Sequence, residues 1–450
     1  MVDEERSRRG LLAALGIAEP VPRAWALYDW ANSAIYTTIV GAVFPTYFLS
    51  VVAKAAGEDQ GARWFGWATT IAIALIALSA PVLGAFADLR AAKKPLLAAF
   101  VALGVAGCCG LFFVGEGDVV LALVLFGVVN VGAAGSLVFY DSLLPHVVPP
   151  ERVDRLSAVG FSLGYLGGGL LLLLQILWIQ KPGWFGLPED GSTLPVRLAF
   201  LTAGLWWLVF SLPLFRRVPE PALVEPPPKR PLRESVRRLR GTLRELGHYR
   251  QATLMLVAFL VYNDGIATVV RMAAVYSELK GFPTDATLRT FLLVQFVGFP
   301  AAVVFGRLAE VFGPKRMVLF GLAVYVFVCL FALKMDTVTD LYLLGVFVGC
   351  VQGGCQALGR SLFARFVPKH RSGEFFALLA VGEKFAGVIG PLAFSLALQA
   401  LDRPQPAILS LIPFFVLGAW LVSRIDVEAG RAEARRAELA FEADAAESDG

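Results

Sequence analysis

The residues of this chain that could do chemistry are polar groups set inside long apolar stretches. Residues 25–48, WALYDWANSAIYTTIVGAVFPTYF, carry Tyr28, Asp29, Asn32 and Ser33 near their start. At 3.6 residues per helical turn, Tyr28, Asp29, Asn32 and Tyr36 fall on one flank. A charged group within a membrane helix costs about 2.5–3.5 kcal/mol, so it normally faces a cavity or a partner. Asp29 is early in its stretch, and a carboxylate near the membrane surface is the alternative. Glu383 and Lys384 form a second constellation. Neighbours on a helix are about 100° apart, so at most one points squarely into a shared cavity. Lys384 could hold a substrate carboxylate, and Glu383 could take up a proton as hydration changes; an ion pair with another helix is the plainer reading. Asn130, Gln295 and Gln352 share a similar middle depth, with Asp264 further out. This is the chemistry of solute binding and proton transfer. His146, His248 and His370 are far apart, the five cysteines form no CxxC pair, and no GxxxxGK[ST] phosphate loop occurs. Neither a metal, a cofactor nor ATP-driven work is expected.

The elements that must position these residues are membrane helices. The chain is 57% hydrophobic and 17% charged, with mean hydropathy +0.67, which excludes an ordinary soluble domain of 450 residues. Twelve spans are predicted at 24–52, 62–88, 95–115, 119–147, 154–180, 196–216, 250–277, 287–311, 315–334, 339–367, 373–400 and 406–425. Backbone polar groups in lipid must pair within the segment, so the fold class is all-α. Lys and Arg concentrate in alternate connections, placing both termini in the cytoplasm and, in a bacterium, the protein in the inner membrane. The expected organisation is a cytoplasmic segment 1–23, a half 24–216, a linker 217–249, a half 250–426 and a tail 427–450. Within the linker, PEPALVEPPPKRP reads as a polyproline-like tether. RESVRRLRGTLREL follows, a basic amphipathic helix with Val236, Leu239, Leu243 and Leu246 on one stripe, suited to the inner leaflet. The tail, ending EADAAESDG, is expected to be disordered beyond a short helix.

The two halves repeat. A shift of 222 lays Gly84 on Gly306, Asp88 on Glu310, Lys93 on Lys315 and Lys94 on Arg316; a shift of 219 lays Ser142 on Ser361 and Arg152 on Arg371. This is a parallel repeat, its axis along the membrane normal. The shift of 219 also relates Asp141 to Arg360, two opposite charges late in spans four and ten. A twofold axis sets equivalent positions opposite each other, so the pair is a candidate inner gate; pairing within each half is the alternative. Asp88 and Glu310, equivalent under the shift of 222, are further candidate gate carboxylates.

Gly84-Ala-Phe-Ala-Asp88, followed by Arg90, Lys93 and Lys94, resembles the loop motif between helices two and three of the major facilitator superfamily. Leu89, Ala91 and Ala92 depart from that motif, whereas the second copy keeps Gly313. Tyr28-Asp-Trp-Ala-Asn32-Ser-Ala, Asp141-Ser-Leu-Leu-Pro145 and Gln352-Gly-Gly-Cys-Gln-Ala-Leu-Gly-Arg360-Ser361 resemble the vacuole-effluxer branch, which includes the fungal autophagy-related exporter of amino acids. The resemblance implies a major facilitator fold of two six-helix halves and a secondary active transporter, amino acids being the expected solute; Glu383 makes a proton the expected coupling ion. The expected partners are a small polar solute and the lipid bilayer, with no nucleic acid and a monomeric chain. Sugar, peptide or amphiphile transport stays open within the fold. A polytopic membrane enzyme or a non-transporting receptor stays open outside it.

Overall fold

The computed structural model describes residues 10, 12–13, 15–189, 191–223, 228, 230–245, 247–401 and 407–448; these form helices and connections, with no strand among them. The first half comprises α1 (Pro20–Val52), α2 (Glu58–Arg90), α3 (Lys93–Leu111), α4 (Val119–Val147), α5 (Val153–Gln180) and α6 (Leu194–Arg217). A linker helix, α7 (Pro231–Glu245), leads to α8 (Arg250–Leu279), α9 (Thr284–Phe312), α10 (Pro314–Ala332), α11 (Val338–Phe366), α12 (Ser372–Leu401) and α13 (Ile412–Ser423), and then to the tail helix α14 (Val427–Ser448). Among the described residues, ten helices are long and apolar enough to cross a membrane. An eleventh span results if Ile408–Ser423 and Val427–Ala443, bent by 66°, count as one. The 30-residue α12 contributes the apolar run Ile389–Ala400. The expected twelve-helix pattern is consistent with this set.

Local sequence explains several boundaries. Within α1, Pro45 has no N–H to offer, and wide π-type turns occupy Tyr36–Ala42 and Phe48–Val52 on either side of it. Gly57 and Gly117 take positive φ where chain direction changes. α2 ends on Ala91 at φ 47°, ψ 54°, a left-handed conformation that costs a side chain about 1–2 kcal/mol. The repeat has Gly313 there, at φ 86°. The departure from glycine in the first copy therefore changes the strain and leaves the turn in place.

The halves meet along α2 with α12 and α5 with α9. A Cβ on Gly84 would collide with the Gly373 carbonyl and lie 2.8 Å from Ala377 Cβ, while one on its repeat mate Gly306 would lie 2.6 Å from Ala158 Cβ. Both crossings depend on a missing side chain.

The linker helix makes a contact the sequence did not suggest, and the tail differs from expectation. α7 packs on α2, and the face it turns inward carries Ser235, which is buried, and Arg238, which pairs with Glu374. Val236 is 38% exposed. The fully buried Glu374 carboxylate requires a cation, and Arg238 supplies it. Leu246, the Leu243 side chain and residues 224–227 and 229 of the proline-rich tether lie outside the described residues.

The tail, expected to be disordered, is the 22-residue helix α14. The Asp426 carboxylate accepts the N–H groups of Glu428 and Ala429 at its start. Glu433 accepts the Gln251 N–H, Glu438 accepts the Lys369 N–H, and Phe441 stacks on His370 at 4.1 Å. The Ala-, Glu- and Arg-rich sequence favours a helix locally, and these contacts fix it against the bundle. Burial, reinforced by the charges of Arg238, Arg371 and Lys93, pushes the His370 imidazole down to about 3. A folded value below the ordinary ~6.5 means that docking stability is fully present above about pH 6.5 and is lost as pH falls toward 3. Hydrogen-exchange protection of α14, corrected for intrinsic rates, is expected to decline below about pH 6. His370→Phe keeps the stack and should flatten the decline; constant protection in the wild type would refute the coupling.

Candidate functional site

The polar links described between the halves gather at the end of the bundle that carries the linker. Arg360 and Asp141 each lie about 9 Å from the linker end of their helices, at 1.5 Å per residue. The Arg360 guanidinium bonds Asp141 Oδ1 through Nη1 at 2.8 Å and Asp29 Oδ2 through Nη2 at 3.2 Å. Its Nε donates to Ser157 Oγ at 3.0 Å, and Nη2 also reaches the Ser157 carbonyl at 3.2 Å. Its carbon lies 5.0 Å from the Trp25 ring centre, 5.6 Å from Tyr140 and 4.5 Å from Phe161. A planar fork suits this seat, since it hydrogen-bonds at its edges and stacks on its faces.

The partners hold one another. Trp25 stacks on Tyr140 at 4.4 Å and donates its indole N–H to the Tyr140 carbonyl. The Tyr140 hydroxyl donates to Asp29 Oδ2 at 2.9 Å. Gly160 leaves the room for that carboxylate, because a Cβ there would run into Asp29 Oδ2. Behind them, Asn32 Nδ2 donates to Tyr28 and to Ser136, each at 3.3 Å, and Trp207 donates to the Tyr28 hydroxyl. The Tyr28 ring packs on Tyr140 at 4.6 Å, so Tyr28 and Asn32 lie against the cluster of Asp29, Asp141 and Arg360, with Asp29 rather than Tyr28 reaching the other half.

A second cluster surrounds Asp88. Its Oδ1 accepts the Gly373 N–H and its Oδ2 the Glu374 N–H, both at 3.0 Å, capping the first turn of α12. Lys93 Nζ lies 2.8 Å from Asp88 and donates to Ser372, which also meets His146. Glu220 accepts the N–H groups of Lys93 and Lys94 at 2.8 and 2.7 Å, fastening the start of the linker to the same place. The partner of Asp88 is thus a helix end as well as a cation. Its repeat mate Glu310 meets Arg155 at 3.5 Å on a half-exposed rim. Asp154, buried against Arg365 at 2.6 Å and Ser361 at 2.7 Å, forms a further link.

Asn130, Gln295 and Asp264 have their described contacts outside this network. Asn130 donates back to the Phe126 carbonyl in its own helix. Gln295 lies where α9 crosses Gly169 of α5, and Gln352 has a buried Oε1 with no partner among the described residues. Asp264 is buried on α8, where Oδ2 accepts the Gly390 N–H at 2.9 Å and Oδ1 finds no partner among the described residues. Glu383 is half-buried on α12, and the Lys384 side chain lies outside the described ones. Sequence reasoning missed Trp25, Tyr140, Ser157, Phe161 and the Asp154–Arg365 pair. The aromatics look like ordinary core residues, and Asp154 and Arg365 belong to elements that no repeat offset relates.

Comparisons with known proteins agree with this architecture. A family model described as vacuole effluxer Atg22-like matches residues 66–435. The chain is 33% identical over 412 residues to YxiO, an uncharacterised MFS-type transporter of Bacillus subtilis, covering 90% of this chain and 94% of that one. It is 26% identical to autophagy-related protein 22 of Yarrowia lipolytica, over 64% of this chain and 53% of the relative, so it spans about half the length of that fungal protein. Among solved structures, the human organic anion transporter MFSD10 matches with a TM-score of 0.72 at 15% identity, over 90% of this chain and 99% of that one. The proton:xylose symporter XylE matches with a TM-score of 0.68 at 14% identity, over 90% and 95%. These two likenesses are of fold.

Proposed function

The chain belongs to the Atg22-like vacuole-effluxer family of the major facilitator superfamily, and from that premise we propose that it moves amino acids across the membrane by proton-coupled alternating access. It is a multi-pass membrane transporter with the major facilitator fold. The observation that carries the reading is the seat of Arg360. A guanidinium from one half is locked onto two carboxylates of the other, close to one end of the bundle. Such a lock must open whenever a central cavity communicates with that end. In this reading Asp141 and Arg360 are the inner gate, Asp88 and Glu310 support it, and the linker end is cytoplasmic. The halves are 24–216 and 250–426, each moving as a body about the linker, and a single chain suffices.

Glu383 is the residue we assign to the proton, because it is half-buried near mid-helix in α12, where closure at one end and opening at the other change its hydration. Asp264 and Gln352 have buried oxygens without described partners and complete the polar lining. The test is uptake of a labelled amino-acid mixture into proteoliposomes, with and without an imposed pH gradient, for wild type and Glu383→Gln. Gradient-driven accumulation that the substitution abolishes is the expected result. Absence of uptake by folded protein in either direction would remove the amino-acid assignment and leave the family intact.

A further inference from the structure

Among the described residues, every group seen to touch the Arg360 guanidinium belongs to the first half: Trp25 and Asp29 on α1, Tyr140 and Asp141 on α4, Ser157 and Phe161 on α5. Three of these walls are fastened to one another without Arg360, by the Trp25–Tyr140 stack, the Trp25 indole bond to the Tyr140 carbonyl and the Tyr140 bond to Asp29; Asp141 shares α4 with Tyr140, and Phe161 shares α5 with Gly160, which makes the room for Asp29. The first half therefore carries a finished box of three rings and two carboxylates, shaped around a guanidinium that belongs to the other half. When the halves part at the linker end, Arg360 leaves with α11 and the box stays. Its carboxylates are already partly wetted, the Asp141 side chain being 21% exposed with Arg360 in place.

We propose that this box is a binding site for a small organic cation, one with a guanidinium or primary ammonium head, and that Arg360 and the cation occupy it alternately. The proposal rests on the alternating-access reading and adds the ligand class and the seat. Aromatic faces attract such heads by cation–π contact, and the paired carboxylates supply charge-assisted hydrogen bonds. A proton needs no rings, and a metal ion would have to give up a tightly held hydration shell for them, whereas an organic cation uses all the walls. Because ligand and Arg360 compete, the cation binds only the state open at the linker end and shifts the population toward it. Closing that end expels the cation, so the site works as an exchanger of gate and ligand.

The test uses the full chain in nanodiscs with labelled agmatine as probe and labelled leucine as the neutral control. Gly84→Trp wedges α2 from α12, and Asp88→Asn unfastens the same crossing if the tryptophan variant fails to fold. Opening is read independently as thiol modification of Ala158→Cys, above the background of the native cysteines. The expected result is at least tenfold tighter agmatine binding to either opened protein than to wild type. At least tenfold of that gain should be lost when Asp141→Asn is added to the opened protein. Leucine, neutral overall, should gain at least tenfold less than agmatine on opening. Opened protein that binds agmatine no better than wild type overturns the proposal, and so does equal binding with and without Asp141→Asn. Failure of both opening variants to expose the thiol introduced at position 158 overturns the competition itself. Amino-acid uptake by the wild type is read in the same preparation: uptake without cation binding sinks this inference alone, and neither uptake nor binding sinks the transport assignment with it.

Discussion

Arg360→Ala is expected to abolish amino-acid uptake and to destabilise the protein by about 3–5 kcal/mol, the cost of removing one partner from a buried ion pair. Arg360 is 5% exposed and serves two carboxylates at once. Its loss leaves Asp141 without its 2.8 Å partner and Asp29 with the Tyr140 hydroxyl. Arg360→Lys retains the charge, yet one ammonium cannot reproduce the three-way fork to Asp29, Asp141 and Ser157. It is expected to fall between, with uptake reduced at least tenfold. Reversing both charges, Asp141→Arg with Arg360→Asp, should recover part of the uptake lost on either reversal. Recovery stays partial because a carboxylate at position 360 would then face Asp29. The measurements are the thermal unfolding midpoint in detergent and uptake into proteoliposomes. Full uptake by Arg360→Ala would remove this residue from the gate.

Asp88→Ala is expected to shift the equilibrium between the closed and open linker ends at least a hundredfold toward open. The carboxylate accepts two backbone N–H groups of α12 and pairs with the buried Lys93. Hydrogen bonds to a charged group contribute about 1.5–3 kcal/mol each, and about 1.4 kcal/mol is a factor of ten. Glu310→Ala should shift it less than tenfold, since a 3.5 Å pair with both side chains partly exposed is worth about 0–1 kcal/mol. Thiol modification of Ala158→Cys compares the two directly. The reverse order of effects would show that the pseudo-equivalent carboxylates do not divide the work as their surroundings imply. The inequality is itself a consequence of the fold: one carboxylate meets a helix end, and its repeat mate meets a side chain at the rim.

The architecture was legible because its causes are local. Runs of about twenty apolar residues admit helices alone in lipid, so the spans follow from composition. The repeat survives in Gly84 and Gly306, and the structure uses both at helix crossings. The same symmetry singled out Asp141 and Arg360 from their offset of 219, and the two are in contact. Asp29 was recognisable as a charge needing a partner, but nothing in its neighbourhood named Arg360, 331 residues away. Helix α14 is longer than the sequence suggested, and the contacts of α14 and α7 depend on what each docks against. A buried Glu374 drew Arg238 inward, and His370 gave Phe441 a surface to stack on.

The sequence alone determined that the chain crosses the membrane as helices, that these come in two related halves, and which polar residues could not face lipid. These follow from short-range physics: backbone pairing in a medium without water, and the cost of an exposed charge in hydrocarbon. Only the tertiary structure decided which of those residues share a site, that three rings and two carboxylates of one half enclose a guanidinium of the other, and that Asp88 holds a helix end. Those relations depend on the rotation and depth of helices far apart in the chain. A turn of about 100° moves a side chain to another neighbour without altering the apolar pattern that specifies the helix.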